Sequence, residues 1–245
     1  MRLLFAFFLL LFAAFAQDER RVASPDGQIE FRIFVALPEP AALNQIAYQV
    51  SFHGKPLIDT SFLGIDILYQ PLLGAKLGLL SSHTSKGDHY HSLVAEYLQN
   101  GSTGRRINVE VRAYNDGVAF RYVVPESNPL EDIRIEGEET EFRLAQNTDT
   151  LSRIAPETLI HLPFVAEQPA AGWIAINEVP KPNYGRMSLI RVDGTTLISR
   201  LAKNGGTPNL AFDGTTPLTG PWRAILIGSS RAEVLESRLV GNLTQ

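Results

Sequence analysis

The chain has no cysteine among its 245 residues. Disulfides and thiolate metal ligands are therefore excluded, and whatever fold forms must be held by its own core. Charge of one sign is also missing. The 22 Lys and Arg stand against 26 Asp and Glu, for a net charge of -4, and they form no long basic run. That argues against nucleic acid or an anionic membrane surface as a partner. There is no Gly-x-Ser-x-Gly elbow and no glycine-rich phosphate loop, so neither a serine nucleophile nor nucleotide chemistry has a sequence basis. A Ser-His-Asp triad can be assembled only by arbitrary choice among five histidines. Helical periodicity is nearly absent. It is convincing only at residues 230–237, where Ser230 and Glu233 form a capping-box pair ahead of Leu235 and Leu239.

The one long apolar run is at the start. Met1-Arg2 precedes Leu3 to Phe15, and Ala14-Phe15-Ala16 is a small-x-small site before Asp18-Glu19-Arg20-Arg21. A bilayer span needs about 20 residues, so this run reads as a secretory signal peptide, residues 1–16, cleaved after Ala16. No cysteine precedes the site for lipid attachment. The expectation is a secreted or periplasmic chain, one domain over residues 17–245, with no membrane segment after cleavage.

What the sequence does contain is short β-like runs separated by turn residues. They cover residues 28–36, 46–52, 62–69, 106–113, 118–124, 133–135, 141–144, 172–176, 187–192, 196–201 and 223–228. Turns are expected at Pro38-Glu39-Pro40, His53-Gly54-Lys55, Asn115-Asp116-Gly117, Asp193-Gly194, Asn204-Gly205-Gly206 and Asp213-Gly214. The clearest pair flanks Asn115-Asp116-Gly117. Ile107, Val109, Val111 and Ala113 alternate with polar residues before it, and Val118, Phe120, Tyr122 and Val124 alternate after it. This is a hairpin signal, with Gly117 expected at positive φ. The class expected is all-β, a sandwich, with one short C-terminal helix at residues 230–237.

Candidate chemistry is sparse. His83, His89 and His91 with Asp88 could ligate zinc through a His-x-His pair on a strand, or could simply furnish a polar loop. Paired carboxylates would suit glycoside hydrolysis. Glu136, Glu138, Glu139 and Glu141 read as an alternating solvated face, whereas Glu178 ends an apolar run just before Pro180, where a rim carboxylate could reach a hard cation. Trp173, Trp222, Tyr184 and Tyr90 could stack on sugar rings or belong to the core.

Several stretches together resemble the N-terminal domain of glycoside hydrolase family 97, a bacterial α-glucosidase and α-galactosidase family. They are Ser24-Pro25-Asp26-Gly27, Gly54 to Ile58, Ser61-Phe62-Leu63-Gly64, Arg112 to Tyr122, Glu139 to Phe142, Ile176-Asn177-Glu178 with Tyr184 and Met187, Pro221 to Ile225, and Leu239 to Leu243. The resemblance implies a galactose-mutarotase-like super-sandwich that packs against a (β/α)8 barrel. It departs from the pattern at Leu151, where a tryptophan is expected. It also implies that the catalytic acid and nucleophile belong to the barrel. None follows Gln245, so the expectation is a carbohydrate-associated module with no catalytic residue of its own. Alternatively, the chain is half of a split calcium-dependent α-glycosidase needing a separate barrel chain. The family's sandwich lends a glutamate to calcium from a Thr-Glu-Ala motif, here Asn177-Glu178-Val179, so Glu178 is the implied metal ligand, with the remaining oxygens from elsewhere. Ile174, Ile176, Val179 and Pro180 around it predict an apolar patch for a partner or for self-association.

Overall fold

The computed structural model describes residues 17–99, 104–204 and 209–244. The expected signal peptide and most of the Asn204-Gly205-Gly206 turn lie outside the described residues. The protein is all-β, with three helices of six residues or fewer among the described residues.

One face is an eight-stranded antiparallel sheet. In spatial order its strands are β13 (Phe164–Gln168), β14 (Gly172–Val179), β19 (Trp222–Gly228), β9 (Gly117–Val124), β8 (Arg106–Tyr114), β7 (Tyr90–Gln99) and β6 (Leu77–Lys86), with β18 (Leu218–Thr219) also paired to β9. Opposite lie three smaller sheets. The first runs β1 (Gln17–Ala23), β2 (Ile29–Ala36), β3 (Gln45–Phe52) and β4 (Lys55–Leu63). The second is β17 (Phe212–Thr215), β10 (Asp132–Glu138) and β5 (Ile65–Ile67). The third is β11 (Glu141–Arg143), β16 (Thr196–Leu201), β15 (Met187–Asp193) and β12 (Leu159–Ile160).

Period-2 patterning explains the core. Ile107, Val109, Val111 and Ala113 on β8 and Val118, Phe120, Tyr122 and Val124 on β9 are all buried. They meet Ile29, Phe31 and Ile33 of β2 and Tyr48 of β3 in a single hydrophobic cluster that draws on every sheet. Its aromatic centre has Phe31 stacked on Tyr48 at 5.2 Å, with Phe120 at 5.1 Å from Tyr48 and 6.3 Å from Phe142. Such contacts add about 0.5–1.5 kcal/mol each beyond area burial. The outer face of the eight-stranded sheet is partly covered by α2 (Arg231–Glu236) and α3 (Leu239–Asn242), whose Val234 and Leu239 pack on Ala175, Trp222, Ala224 and Leu226. That second layer is why β19 is buried along its whole length. The remaining helix, α1 (Asp149–Ser152), is capped by Thr148 and turns Leu151 into the core.

Most of the expected strands are present, and the Ser230 half of the capping box forms: Ser230 Oγ accepts from Glu233 N at 3.3 Å, while Glu233 Oε2 reaches one residue further back and accepts from Ser229 N at 2.7 Å. Four expectations need correction. The histidine-bearing stretch is a hairpin, β6 and β7, rather than a loop. β6 is an edge strand, exposed on both faces over most of its length, so its Ser, His, Thr and Lys residues carry no apolar alternation. The run at residues 62–69 is broken at Gly64, where the chain leaves the first small sheet for the second. Asp213-Gly214 lies inside β17, not in a turn. At the main hairpin Tyr114 pairs directly with Gly117, so the turn is only Asn115-Asp116, and Gly117, with φ of 149°, is the first residue of β9.

Candidate functional site

β19 carries one residue that its apolar surroundings do not explain. Arg223 alternates with Ile225 and Ile227 toward the interior and is fully buried. A guanidinium cannot be left unpaired there. Two acids meet it, and they are the buried acids among the described residues, Glu138 at the end of β10 and Glu178 near the end of β14.

The geometry is a fork. Arg223 Nε donates to Glu138 Oε2 at 3.0 Å and Nη2 to Glu138 Oε1 at 2.7 Å, the bidentate arrangement that fits a planar guanidinium. Its Nη1 donates to Glu178 Oε2 at 2.9 Å. Glu178 is held again from the surface side: Arg186 Nε donates to Oε1 at 2.5 Å and Met187 N to Oε2 at 3.1 Å. Arg186 is itself 68% exposed, whereas the Glu178 side chain is 2% exposed. Glu138 receives two hydroxyls as well, Tyr184 at 2.7 Å and Thr140 at 3.1 Å. Because Thr140 spends its single hydroxyl proton on Glu138, Tyr122, 2.8 Å away, must be the donor to Thr140.

Charges balance within the cluster, two guanidiniums against two carboxylates. Burial opposes the charge on Arg223, but Glu138, by attraction and hydrogen bonding, outweighs it and holds the guanidinium above its ordinary value. Burial, with the Glu138 charge next, pushes the Tyr184 and Tyr122 hydroxyls up, so both phenols stay protonated as donors.

This arrangement revises two readings of the sequence. Glu138 is not part of a solvated face. β10 has a register shift between Ile135 and Gly137, and the extra residue turns Glu138 inward beside Ile133 and Ile135 instead of leaving it with Glu136 and Glu139. Nor do Ile174 and Ile176 form an apolar patch around Glu178. They share its inward face and lie in the core, leaving a half-buried Val179 and an exposed Pro180 at the rim. Arg223 and Arg186 were not read as site residues from the sequence, and Glu138 was read only as one of a solvated series. The signal for Arg223 was there, a charged residue inside Trp222-Arg223-Ala224-Ile225-Leu226-Ile227.

As a calcium ligand Glu178 is poorly placed within this chain. Calcium takes about six to eight oxygens, and among the described residues no three acidic or histidine side chains gather to hold an ion. Both Glu178 oxygens already face guanidinium groups, which repel a dication. The residues of this chain do not by themselves fit the metal. The histidine set is dispersed too. His91 Nδ1 lies 2.9 Å from the Ala23 carbonyl on β1, His83 is exposed on β6, and His89 and Asp88 sit in the turn between the strands. Of the four aromatics, Trp222 and Tyr184 are buried. Trp222 lies under Arg121, whose guanidinium is 4.3 Å from its ring, and Tyr90 lies under Arg112 at 4.7 Å. Trp173 is half-buried against the α2 and α3 layer and edges a shallow depression with His53 and Glu167.

The family model described as Glycosyl-hydrolase 97 N-terminal matches residues 22–158 and 146–245. The chain belongs to that family. A curated relative, the retaining alpha-galactosidase of Bacteroides thetaiotaomicron, is 21% identical over 227 residues, covering 76% of this chain and 32% of the relative. Among solved structures, a glycoside hydrolase family 97 enzyme in complex with acarbose, from Pseudoalteromonas sp. strain K8, superposes with a TM-score of 0.75 at 21% identity, covering 92% of this chain and 38% of that one. A beta-arabinopyranosidase superposes with a TM-score of 0.69 at 20% identity, over 87% and 40%. The chain thus spans about a third of the length of these proteins. No helix among the described residues is long and apolar enough to cross a membrane.

Proposed function

We propose that this chain is a non-catalytic, carbohydrate-associated sandwich of a glycoside hydrolase family 97 type protein, working beside a (β/α)8 barrel. The observation that carries this reading is the state of its buried acids. Glycoside hydrolysis needs one carboxyl free to protonate a leaving oxygen and another free to attack or to activate water. Glu138 and Glu178 are instead both bound to Arg223, and Glu178 to Arg186 as well. Export to the periplasm or medium fits the same role. The test is turnover of aryl α-glycosides by the purified chain, with and without calcium. No turnover is expected; turnover that Glu138→Gln or Glu178→Gln removes would overturn the reading.

One observation favours the second reading, half of a split calcium-dependent α-glycosidase. The residue that closes Glu178 Oε1 is the largely exposed Arg186. A partner face bearing carboxylates could draw Arg186 away and supply the missing oxygens, so that Glu178 becomes a ligand only in the assembled pair. Calcium-dependent activity that appears when a separately purified barrel chain is added, and is lost in Glu178→Gln, would establish it.

A further inference from the structure

The turn that follows β5 holds a residue that both its backbone and its solvation disfavour. Gln70 N donates to Ile67 O at 2.9 Å, closing a turn over Leu68 and Tyr69. Tyr69, at the third position of that turn, has φ of 59°. This position at positive φ calls for Gly or Asn, and a bulky side chain there is strained. Its ring makes no recompense by burial: Tyr69 is 91% exposed, far more than any other large hydrophobic side chain among the described residues. The turn is not loose, since Leu68 N donates to Arg134 O on β10 at 2.8 Å.

Beside the ring lies a groove of about 690 Å³ across the outer face of β10. Ile133 and Ile135 point into the core, so Asp132, Arg134 and Glu136 point outward into this groove. Those three side chains make no hydrogen bond or ion pair with the described residues. The ring and the groove together offer a flat apolar face and, beside it, acceptors and a forked donor with free valences.

We infer that Tyr69 and the outer face of β10 form a binding subsite for a neutral oligosaccharide. The C–H face of a pyranose packs on the ring, and vicinal hydroxyls donate to Asp132 and Glu136 and accept from Arg134. The acids outnumber the base among these three, which disfavours an anionic ligand, and the volume falls in the range of small-molecule sites. The inference rests on the carbohydrate-associated reading above and gives it a location distinct from the Arg223 cluster.

Isothermal titration calorimetry of the full chain with maltotriose, raffinose and xylotriose tests it, alongside thermal unfolding of each variant. At least one of the three sugars is expected to bind. Tyr69→Ala and Tyr69→Gly should weaken that binding roughly tenfold or more, the scale of a lost aromatic contact. Asp132→Asn with Glu136→Gln should weaken it too. Tyr69→Gly should leave Tm unchanged or raise it, because glycine accepts this φ without strain. A merely structural tyrosine would show the reverse. Failure of the wild-type chain to bind any of the sugars overturns the site, as does binding by Tyr69→Gly at wild-type strength. Sugar binding that ignores Tyr69 removes this site and leaves the accessory-module reading standing. Turnover of glycosides by the chain alone removes that reading and leaves the site.

Discussion

Replacing Arg223 by Met should be among the most damaging single changes available to this sandwich. Methionine fills much of the same volume, so the cavity term is small and the cost is electrostatic. Three hydrogen bonds to carboxylates disappear, at 2.7, 2.9 and 3.0 Å. Glu178 keeps Arg186 and Met187 N, but Glu138 is left with the Tyr184 and Thr140 hydroxyls and no cation. Breaking a buried pair by removing one partner costs about 3–5 kcal/mol, because the other charge stays behind unpaired. For a domain of this size that corresponds to a fall in Tm of roughly 6–20 °C. Arg223→Lys should recover part of it, restoring a cation without the fork. Adding Glu138→Gln to Arg223→Met should recover more, since the amide still accepts from Tyr184 and no longer carries a charge. The assay is urea unfolding at pH 7 of wild type, both single variants and the double, read as a double-mutant cycle. A loss under about 1 kcal/mol for Arg223→Met, or strict additivity with Glu138→Gln, would refute the account of the cluster as a coupled unit.

Gly117→Val should cost about 2 kcal/mol or more, because φ is 149° and a Cβ there would lie 2.3 Å from the Ile225 carbonyl oxygen; an unchanged unfolding midpoint would contradict the register at this hairpin. Glu141→Gln should stabilise the chain at pH 7. Burial raises the Glu141 carboxyl above its ordinary value while Phe62 N, at 3.1 Å, works against the rise. The folded state therefore holds the proton longer than the unfolded chain, and stability is lost as pH rises through the raised folded value. Glutamine keeps an acceptor for Phe62 N, so its advantage over wild type should be visible in Tm at pH 7 and absent at pH 4. Ser230→Ala should cost about 0.5–1 kcal/mol by removing the acceptor for Glu233 N at the start of α2, measurable as a small drop in Tm.

What the sequence made legible was everything governed by period-2 burial. β8 and β9 could be read residue by residue because one face meets the core and the other does not. β6 could not, since an edge strand solvated on both sides has no reason to alternate, and the histidines spread over this hairpin drew attention to a metal. β1 was passed over for a similar reason. Its acidic and basic residues were read only as the charged stretch that follows the cleavage site, yet Glu19 pairs with Arg32 across to β2 at 2.5 Å, and the strand is carried by backbone pairing with β2.

The site was legible only in halves, and the reason lies in the bulge. From spacing alone Glu136, Glu138 and Glu139 belong to one exposed series, and nothing local marks the register shift that sends Glu138 inward. Arg223 and Glu178 each sit in apolar runs on neighbouring strands, directly opposite one another in register. A buried cation requires buried anions, so the pair could have been inferred as soon as β14 and β19 were known to be adjacent. Adjacency is what a single sequence withholds, because four strands, three of them in other sheets, separate β14 from β19 along the chain, and the acid that completes the fork lies 85 residues from Arg223. The same argument separates the two kinds of polar residue in this protein. Those that long-range pairing buries, such as Glu138, Glu178 and Arg223, neutralise one another and serve the fold. Those that alternation turns outward without partners among the described residues, Asp132, Arg134 and Glu136 beside an exposed Tyr69, have hydrogen-bonding capacity left to spend on a ligand.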